Sequence, residues 1–316
     1  MSRQLKLLYA LILVFTLGYD SDVSGAQKKK AEEMPQGTPV LWQEPADIES
    51  RDLLAGPGGD GMKPDLSDVT FLKDESQTGY SVKFRVRDGA GKEWVAKLGN
   101  EAQPETAAVR LVWAAGYMSE VNYLAPKATI EGKGTFENVR FEARPEGVER
   151  LDEWRWDANP FRGTRELQCL KVLMALLENW DLKDSNNKVL YVEGERELHH
   201  VVSDLGATFG KTGGQNSPMA LLRQDKGSRN EPADYVADKF IDGVEAGGVR
   251  FNYSGKNSAM MRDVSVENAK WVGSLLARLS DKQIEDAFRA ANYSPEEVSI
   301  LARAVRSRIN ELVNLP

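Results

Sequence analysis

The chain opens on a short polar, basic start, Met1 to Lys6, followed by the apolar run LLYALILVFTLGY from Leu7 to Tyr19. The run holds 13 residues, short of the about 20 that a membrane-spanning helix needs. Small residues follow at Ser24 and Ala26, spaced as a signal peptidase requires. A buried first helix would need a polar face, and Leu7 to Leu17 offers only Tyr9 and Thr16. Residues 1–26 are therefore expected to be a cleaved export signal, and the mature chain to be periplasmic or extracellular. Residues 27–65 are rich in Lys, Glu, Pro and Gly (KKKAEE, AGPGGDGMKPD) with few apolar positions, the composition of a flexible leader.

Regular patterning begins near Val69. In YSVKFRV the apolar Val82, Phe84 and Val86 alternate with polar residues, the two-residue period of a half-buried strand. The turn DGAGK (88–92) leads into a second strand, EWVAKLG, so a hairpin is expected. Pro104 then opens the helical stretch ETAAVRLVWAAGY, proline being suited to a first helical turn. Further short strands are expected at ATIEG and ENVRFEA. The second half reads as mainly helical: Leu167, Leu170, Leu173, Met174 and Leu177 recur at spacings of three and four, the stripe of a packed helix. A short hairpin is expected at KVLYV and HHVVSD, then helices at NAKWVGSLLARL, SDKQIEDAFRAA and SPEEVSILARAVRSRINEL, with Ser280 and Ser294 as N-caps of the last two. This order predicts an α+β chain: a strand-rich half carrying one helix (66–145), a helix-rich half (146–316), and a cleft between.

The 316 residues carry a net charge of −7. Removing residues 1–26 takes away Arg3, Lys6, Asp20 and Asp22, so the mature chain keeps that charge. An acidic chain is ill-suited to bind nucleic acid generally, since counterion release needs a basic face. No later stretch is apolar enough to span a membrane. The single Cys169 cannot form an internal disulfide, and its setting in ELQCLKVLMALL makes it a buried apolar side chain.

Candidate chemistry lies in four places. Lys97 ends the second hairpin strand; Glu105 follows eight residues later at a helix start; Asp181 and Asn186 lie in NWDLKDSNN after the long apolar helix; Asp204 lies in VVSDLG after a strand. Phosphoryl transfer gives each type a purpose, because it needs positioning and charge neutralisation more than covalent help. A lysine held by a glutamate clamps phosphates, an aspartate orients an acceptor hydroxyl, and an amide with a second carboxylate offers the hard oxygens magnesium prefers. Each piece alone also reads as surface charge, a polar turn or a strand-ending turn; the joint order is what points to chemistry.

These residues resemble a known superfamily. VAKLG with ETAAVRLVWAAGY is similar to the third strand and following helix of the protein-kinase-like fold, DLKDSN resembles its catalytic loop, and SDLG resembles its metal-binding segment. The layout resembles the atypical branch, which includes phosphatidylinositol-kinase, HipA-like and secretory-pathway kinases. The resemblance implies a two-lobed fold with a strand-rich N-lobe and helical C-lobe, ATP and Mg2+ as ligands, and a protein, lipid or sugar acceptor. It implies that Lys97 contacts phosphates, Glu105 pairs with it, Asp181 is the base, Lys183 steadies the transferred phosphate, and Asn186 and Asp204 hold the metal. Asp181 is preceded by Asn179-Trp180 instead of His-Arg, no APE-like segment follows SDLG, and KDESQTGY holds one glycine, leaving Ser76, Thr78 or backbone groups to cover phosphates. A catalytically inactive relative, or a binding or scaffold module using the same cleft, is the alternative.

GATFGKTGG (206–214) fails the phosphate-loop spacing, with three residues between Gly206 and Gly210 where the pattern needs four. His199 and His200 are the only histidines; on a strand they face opposite ways, which leaves neither a zinc pair nor an ordinary Ser-His-Asp triad. Trp154, Trp156 and Phe161 are expected in the core rather than the cleft.

Overall fold

The computed structural model describes residues 35–76, 81–210 and 230–316. The expected signal (1–26), residues 27–34 of the leader, Thr78 and residues 211–214 of GATFGKTGG fall outside these. The described chain is one compact unit.

Strands β2 (Thr70–Asp74), β3 (Lys83–Arg87), β4 (Glu93–Lys97), β5 (Asn122–Ile130) and β6 (Gly134–Ala143) form a five-stranded sheet in the order β2-β3-β4-β6-β5. The β3–β4 hairpin turns where DGAGK predicts. Asp88 holds that turn: its Oδ1 accepts from the amides of Ala90 and Lys92, and its Oδ2 from Trp94 Nε1 at 2.9 Å. Alternation sends Phe84, Val86, Trp94, Ala96, Val139 and Phe141 into a core on one face. Pro126 lies within β5, tolerated because β5 is an edge strand.

Helix α1 (Ala102–Ala114) begins two residues before Pro104 and is buried almost all round, as its apolar composition dictates. It packs on β5, β6 and α5 (Asp281–Arg289), and Gln103 Nε2 donates to the carbonyls of Ala291 and Asn292. The single helix of the strand-rich half is thus also fastened to the helical half. There α2 (Arg165–Leu176), α3 (Pro232–Ala237), α4 (Val266–Leu276), α5 and α6 (Pro295–Val313) enclose the larger core. Ser280 and Ser294 cap α5 and α6 as predicted, each in a reciprocal box with the side chain three residues on. Cys169 is fully buried in α2. Trp154 and Trp156 join this core with Phe161 packed against it. Strand β7 (Val148–Arg150) and the hairpin β8 (Asn187–Val192) and β9 (Glu197–Val202) belong to a second sheet. The pair β10 (Ile241–Glu245) and β11 (Gly248–Phe251) is additional to the sequence reading. Among the described residues no helix is long and apolar enough to cross a membrane.

The expectation of a flexible leader over residues 27–65 is corrected from residue 35 onward. Strand β1 (Thr38–Val40) pairs in parallel with β9, and Leu41, Ile48 and Leu53 are buried. Gln283 Nε2 donates to the carbonyls of Ile48 and Arg51, Trp42 Nε1 donates to the Ala115 carbonyl, and Tyr123 Oη donates to Gly59. The segment is a strap whose apolar residues plug separate holes, so it has no period to read. Leu53→Ala is expected to cost about 2–5 kcal/mol in urea unfolding, as for a core leucine; a change within about 0.5 kcal/mol would mark a surface position instead.

Candidate active site

Because Trp94 and Ala96 face the sheet's core, strand alternation turns Val95 and Lys97 to the opposite face. Lys97 is 1% exposed, a severe setting for an ammonium unless it is paired. Its Nζ lies 2.8 Å from Glu101 Oε2, 2.9 Å from Glu105 Oε2 and 3.1 Å from Asp204 Oδ1. The N-cap and the first turn of α1 therefore supply one carboxylate each, and the exit of β9 a third. Arg140 stands directly across the β4–β6 ladder from Lys97, a like-charge pairing that is unfavourable alone. Glu105 resolves it by also pairing as an ion with Arg140, its Oε1 3.2 Å from Nη1, while Glu142 accepts from Arg140 Nη2 at 2.7 Å.

The opposing wall is the loop after α2. Asn179 is fully buried; its Oδ1 accepts the Asp181 amide at 3.2 Å, and Tyr253 Oη donates to its carbonyl at 2.7 Å. Asn186 Nδ2 donates to the Asp181 carbonyl at 2.7 Å and to its Oδ2 at 3.2 Å, and Lys183 Nζ lies 2.7 Å from the same Oδ2. The amides of Ser203 and Asp204 both donate to the Asn186 carbonyl, so the β9 exit is fixed against this loop. A Cβ at Gly206 would lie 2.6 Å from the Glu101 Cβ; close approach, not an unusual backbone angle, requires the glycine of SDLG.

All six predicted residues, Lys97, Glu105, Asp181, Lys183, Asn186 and Asp204, line one cleft of about 490 Å³, within the range of small-molecule sites. Ser76 is different: its hydroxyl accepts the Lys83 amide and donates to the Lys83 carbonyl, so it closes the strand end instead of covering a ligand. Glu101, Arg140 and Glu142 also line the cleft and were missed. Glu101 is four residues from Lys97 at a helix start, and Arg140 and Glu142 alternate with the apolar Val139 and Phe141. Both signals are present in the sequence, but ordinary surface charge has the same pattern.

Burial opposes the charge on Lys97, yet Asp204, Glu105 and Glu101, in that order, raise it well above the ordinary lysine range. Burial likewise opposes ionisation of Asp204, but Lys97 and then Lys83 hold its carboxyl well below the usual range. Glu142, buried too, is drawn down to about 2 by Arg144 and Arg140. Glu105 is pushed upward by its complete burial, against Arg140 and Lys97.

As a metal site the donor set fits a hard cation. Asn186 spends its amide nitrogen on Asp181, leaving Oδ1 without a protein donor among the described residues, and Asp204 engages Lys97 through Oδ1 alone. An amide oxygen and a carboxylate oxygen thus remain on adjoining backbone. Elsewhere, His199 sits beside Glu195 and Glu197 on the exposed side of β9, while His200 turns inward against Trp154 and Phe161, the opposite facing that the strand predicts.

On an α+β chain, the order of sheet lysine, helix glutamate, loop Asp181 and Asn186 and strand-end Asp204 is the layout that the sequence resemblance implied. No family model and no curated protein matches the chain. Among solved structures, it is similar to the Helicobacter pylori proinflammatory kinase CtkA at 13% identity, covering 79% of this chain and 94% of that one with a TM-score of 0.43. It is also similar to the golgi casein kinase at 9% identity, covering 79% and 73% with a TM-score of 0.36.

The depressed Asp204 contributes stability that is full above its unfolded value near 3.8 and is lost as pH falls toward the lower folded value. Lys97, being raised, contributes fully below 10.5 and loses its share only above that. Asp204→Asn is expected to lower stability by about 1–3 kcal/mol near neutral pH, the carboxylate being partly exposed. Urea unfolding across pH should show that gap closing below about pH 4. A gap that stays constant into acid would mean the ionised pair is not its source.

Proposed function

We propose that the protein is a kinase-like phosphotransferase that moves the terminal phosphate of a magnesium-bound nucleotide, ATP being the expected one, to a hydroxyl acceptor outside the cytoplasm. The observation that supports it is Lys97 Nζ held between Glu105 and Asp204 at 2.9 and 3.1 Å, in one cleft with Asp181 and Asn186. Lys97 is the group to grip the donor phosphates. An ammonium has three N–H donors, and three carboxylates already engage them, so a phosphate oxygen must displace one of these rather than add to them. Asp181, oriented by Lys183 and Asn186, takes the proton of the acceptor hydroxyl. The new O–P bond forms as the bridging O–P bond breaks and the diphosphate leaves, with Lys183 beside the transferring group. Asn186 and Asp204 would hold the metal, which when bound offsets negative charge on the phosphate oxygens. The acceptor is a protein, a lipid headgroup or a sugar, and the leader Met1–Ala26 directs export.

A second reading, a catalytically silent binding module, is favoured by Glu101. A third carboxylate on Lys97 saturates the clamp, the arrangement of a cleft that holds its ligand loosely or holds itself shut.

Magnesium-dependent thermal stabilisation by ATP is expected for the purified protein and is expected to vanish in Asp204→Ala and weaken in Lys97→Ala. Radiolabel from the terminal phosphate should reach a mixed protein acceptor or the protein itself, and Asp181→Ala should cut that transfer by about 10²–10⁴-fold with binding retained. Binding without transfer in the unaltered protein would establish the silent module, and transfer unchanged by Asp181→Ala would remove the base assignment. Fusion of residues 1–26 to a reporter active only after export should yield activity; a silent fusion would return the protein to the cytoplasm.

A further inference from the structure

Val95 is the one apolar side chain among the described residues that line the cleft. Pockets that enclose a heteroaromatic base are lined mainly by apolar and aromatic side chains, which the described residues of this lining do not supply. Its walls beyond Lys97 are ion pairs. On the sheet side, Arg85 Nη2 donates to Glu75 at 2.8 Å, and Glu142 is shared between Arg140 and Arg144. On the floor, Lys188 Nζ donates to Glu153 at 2.8 Å. Counted by sign, the lining holds seven cationic and seven anionic side chains, so a base laid against it would have to desolvate paired charges with no apolar surface in return.

Much of the backbone at the end of β6 is already engaged as well. The amides of Ala143 and Arg144 already donate to Val121 and Glu93, and Pro145 has no amide hydrogen. The Ala143 carbonyl accepts Arg144 Nη1, and the Gly147 carbonyl accepts the Glu193 amide. A second hollow with apolar walls, including Val121, Val148 and Leu190, measures about 130 Å³, well under the roughly 300 Å³ at which small-molecule pockets begin. Arg144 and Arg150 line both spaces and so stand between them; they are tied to Glu142 and Glu120. Stacking of a base on one of these guanidinium planes remains open to it, but stacking accepts every base because each has a π face.

We propose that the cleft recognises a linear triphosphate with its divalent cation and does not read the base, so that nucleotides of any base, and inorganic tripolyphosphate, bind alike. This rests on the reading of the cleft as a polyphosphate site. Lys97 and Lys183, with the oxygens of Asn186 and Asp204, provide for the phosphates and cation, and no side chain among the described lining residues distinguishes a purine from a pyrimidine or from no base.

Calorimetric titration of the purified protein in magnesium with ATP, GTP, CTP, inorganic tripolyphosphate and adenosine tests this directly. Affinities for the three nucleotides and tripolyphosphate are expected to agree within about threefold, and adenosine at about 100-fold excess is expected not to compete. ATP binding at least about tenfold tighter than GTP and CTP, or competition by adenosine, would overturn base indifference while leaving the polyphosphate site intact. Nucleotides that bind equally while tripolyphosphate fails would show that the sugar is required, which also overturns it. If neither ATP nor tripolyphosphate binds, the proposed function itself falls.

Discussion

A lysine ammonium sealed at the junction of a sheet and a helical half organises this molecule. A buried, unpaired cation costs several kcal/mol even after relaxation, so Lys97 is compatible with the fold only if carboxylates arrive from elsewhere in the chain. They come from the N-cap and first turn of α1 and from the exit of β9. The condition therefore fixes β4, α1 and β9 relative to one another. Arg140 extends it to β6, because Glu105 must serve two cations at once. Removing Lys97 would leave Glu101, Glu105 and Asp204 facing one another without their shared cation.

The same constraint makes the described cleft lining a set of paired charges. A network of paired charges is stable as long as each member is satisfied, and it can exchange one anion for another at modest cost because the cation's demand is unchanged. On the proposed function, a polyphosphate entering beside Lys97 would replace one carboxylate with another anion. The loop carrying Asp181 is held from behind by Tyr253 on Asn179 and by Asn257 Nδ2 on the Leu182 carbonyl, so exchange at Lys97 does not require that wall to move. Rigidity on one side and replaceable ion pairs on the other are the division of labour that positioning chemistry needs.

Much of this was legible in the sequence, for reasons that differ by element. The β3–β4 hairpin announced itself by strict alternation and the DGAGK turn, and α5 and α6 by Ser280 and Ser294. Lys97, Glu105, Asp181, Lys183, Asn186 and Asp204 could be placed because each sits at the end of such an element, where direction is fixed. The strap from residue 35 to residue 65 was not legible: Leu41, Ile48 and Leu53 are buried but lie several residues apart, and burial by single plugs leaves no periodic trace. Glu101, Arg140 and Glu142 escaped for the opposite reason. Their patterns are common on solvated surfaces, and only the close approach of α1 to β4 and β6 turns them inward.

The central claim is that Lys97 exchanges one of its carboxylates for a phosphate oxygen while a cation binds Asn186 and Asp204. A crystal structure of the protein with magnesium and a non-hydrolysable triphosphate tests it most directly. The account predicts phosphate oxygens within hydrogen-bond distance of Lys97 Nζ, Glu105 still in place, Glu101 or Asp204 released from the lysine, and the cation against Asn186 Oδ1 and an Asp204 oxygen. Triphosphate bound at another surface, with the three carboxylates still closed around Lys97, would contradict it.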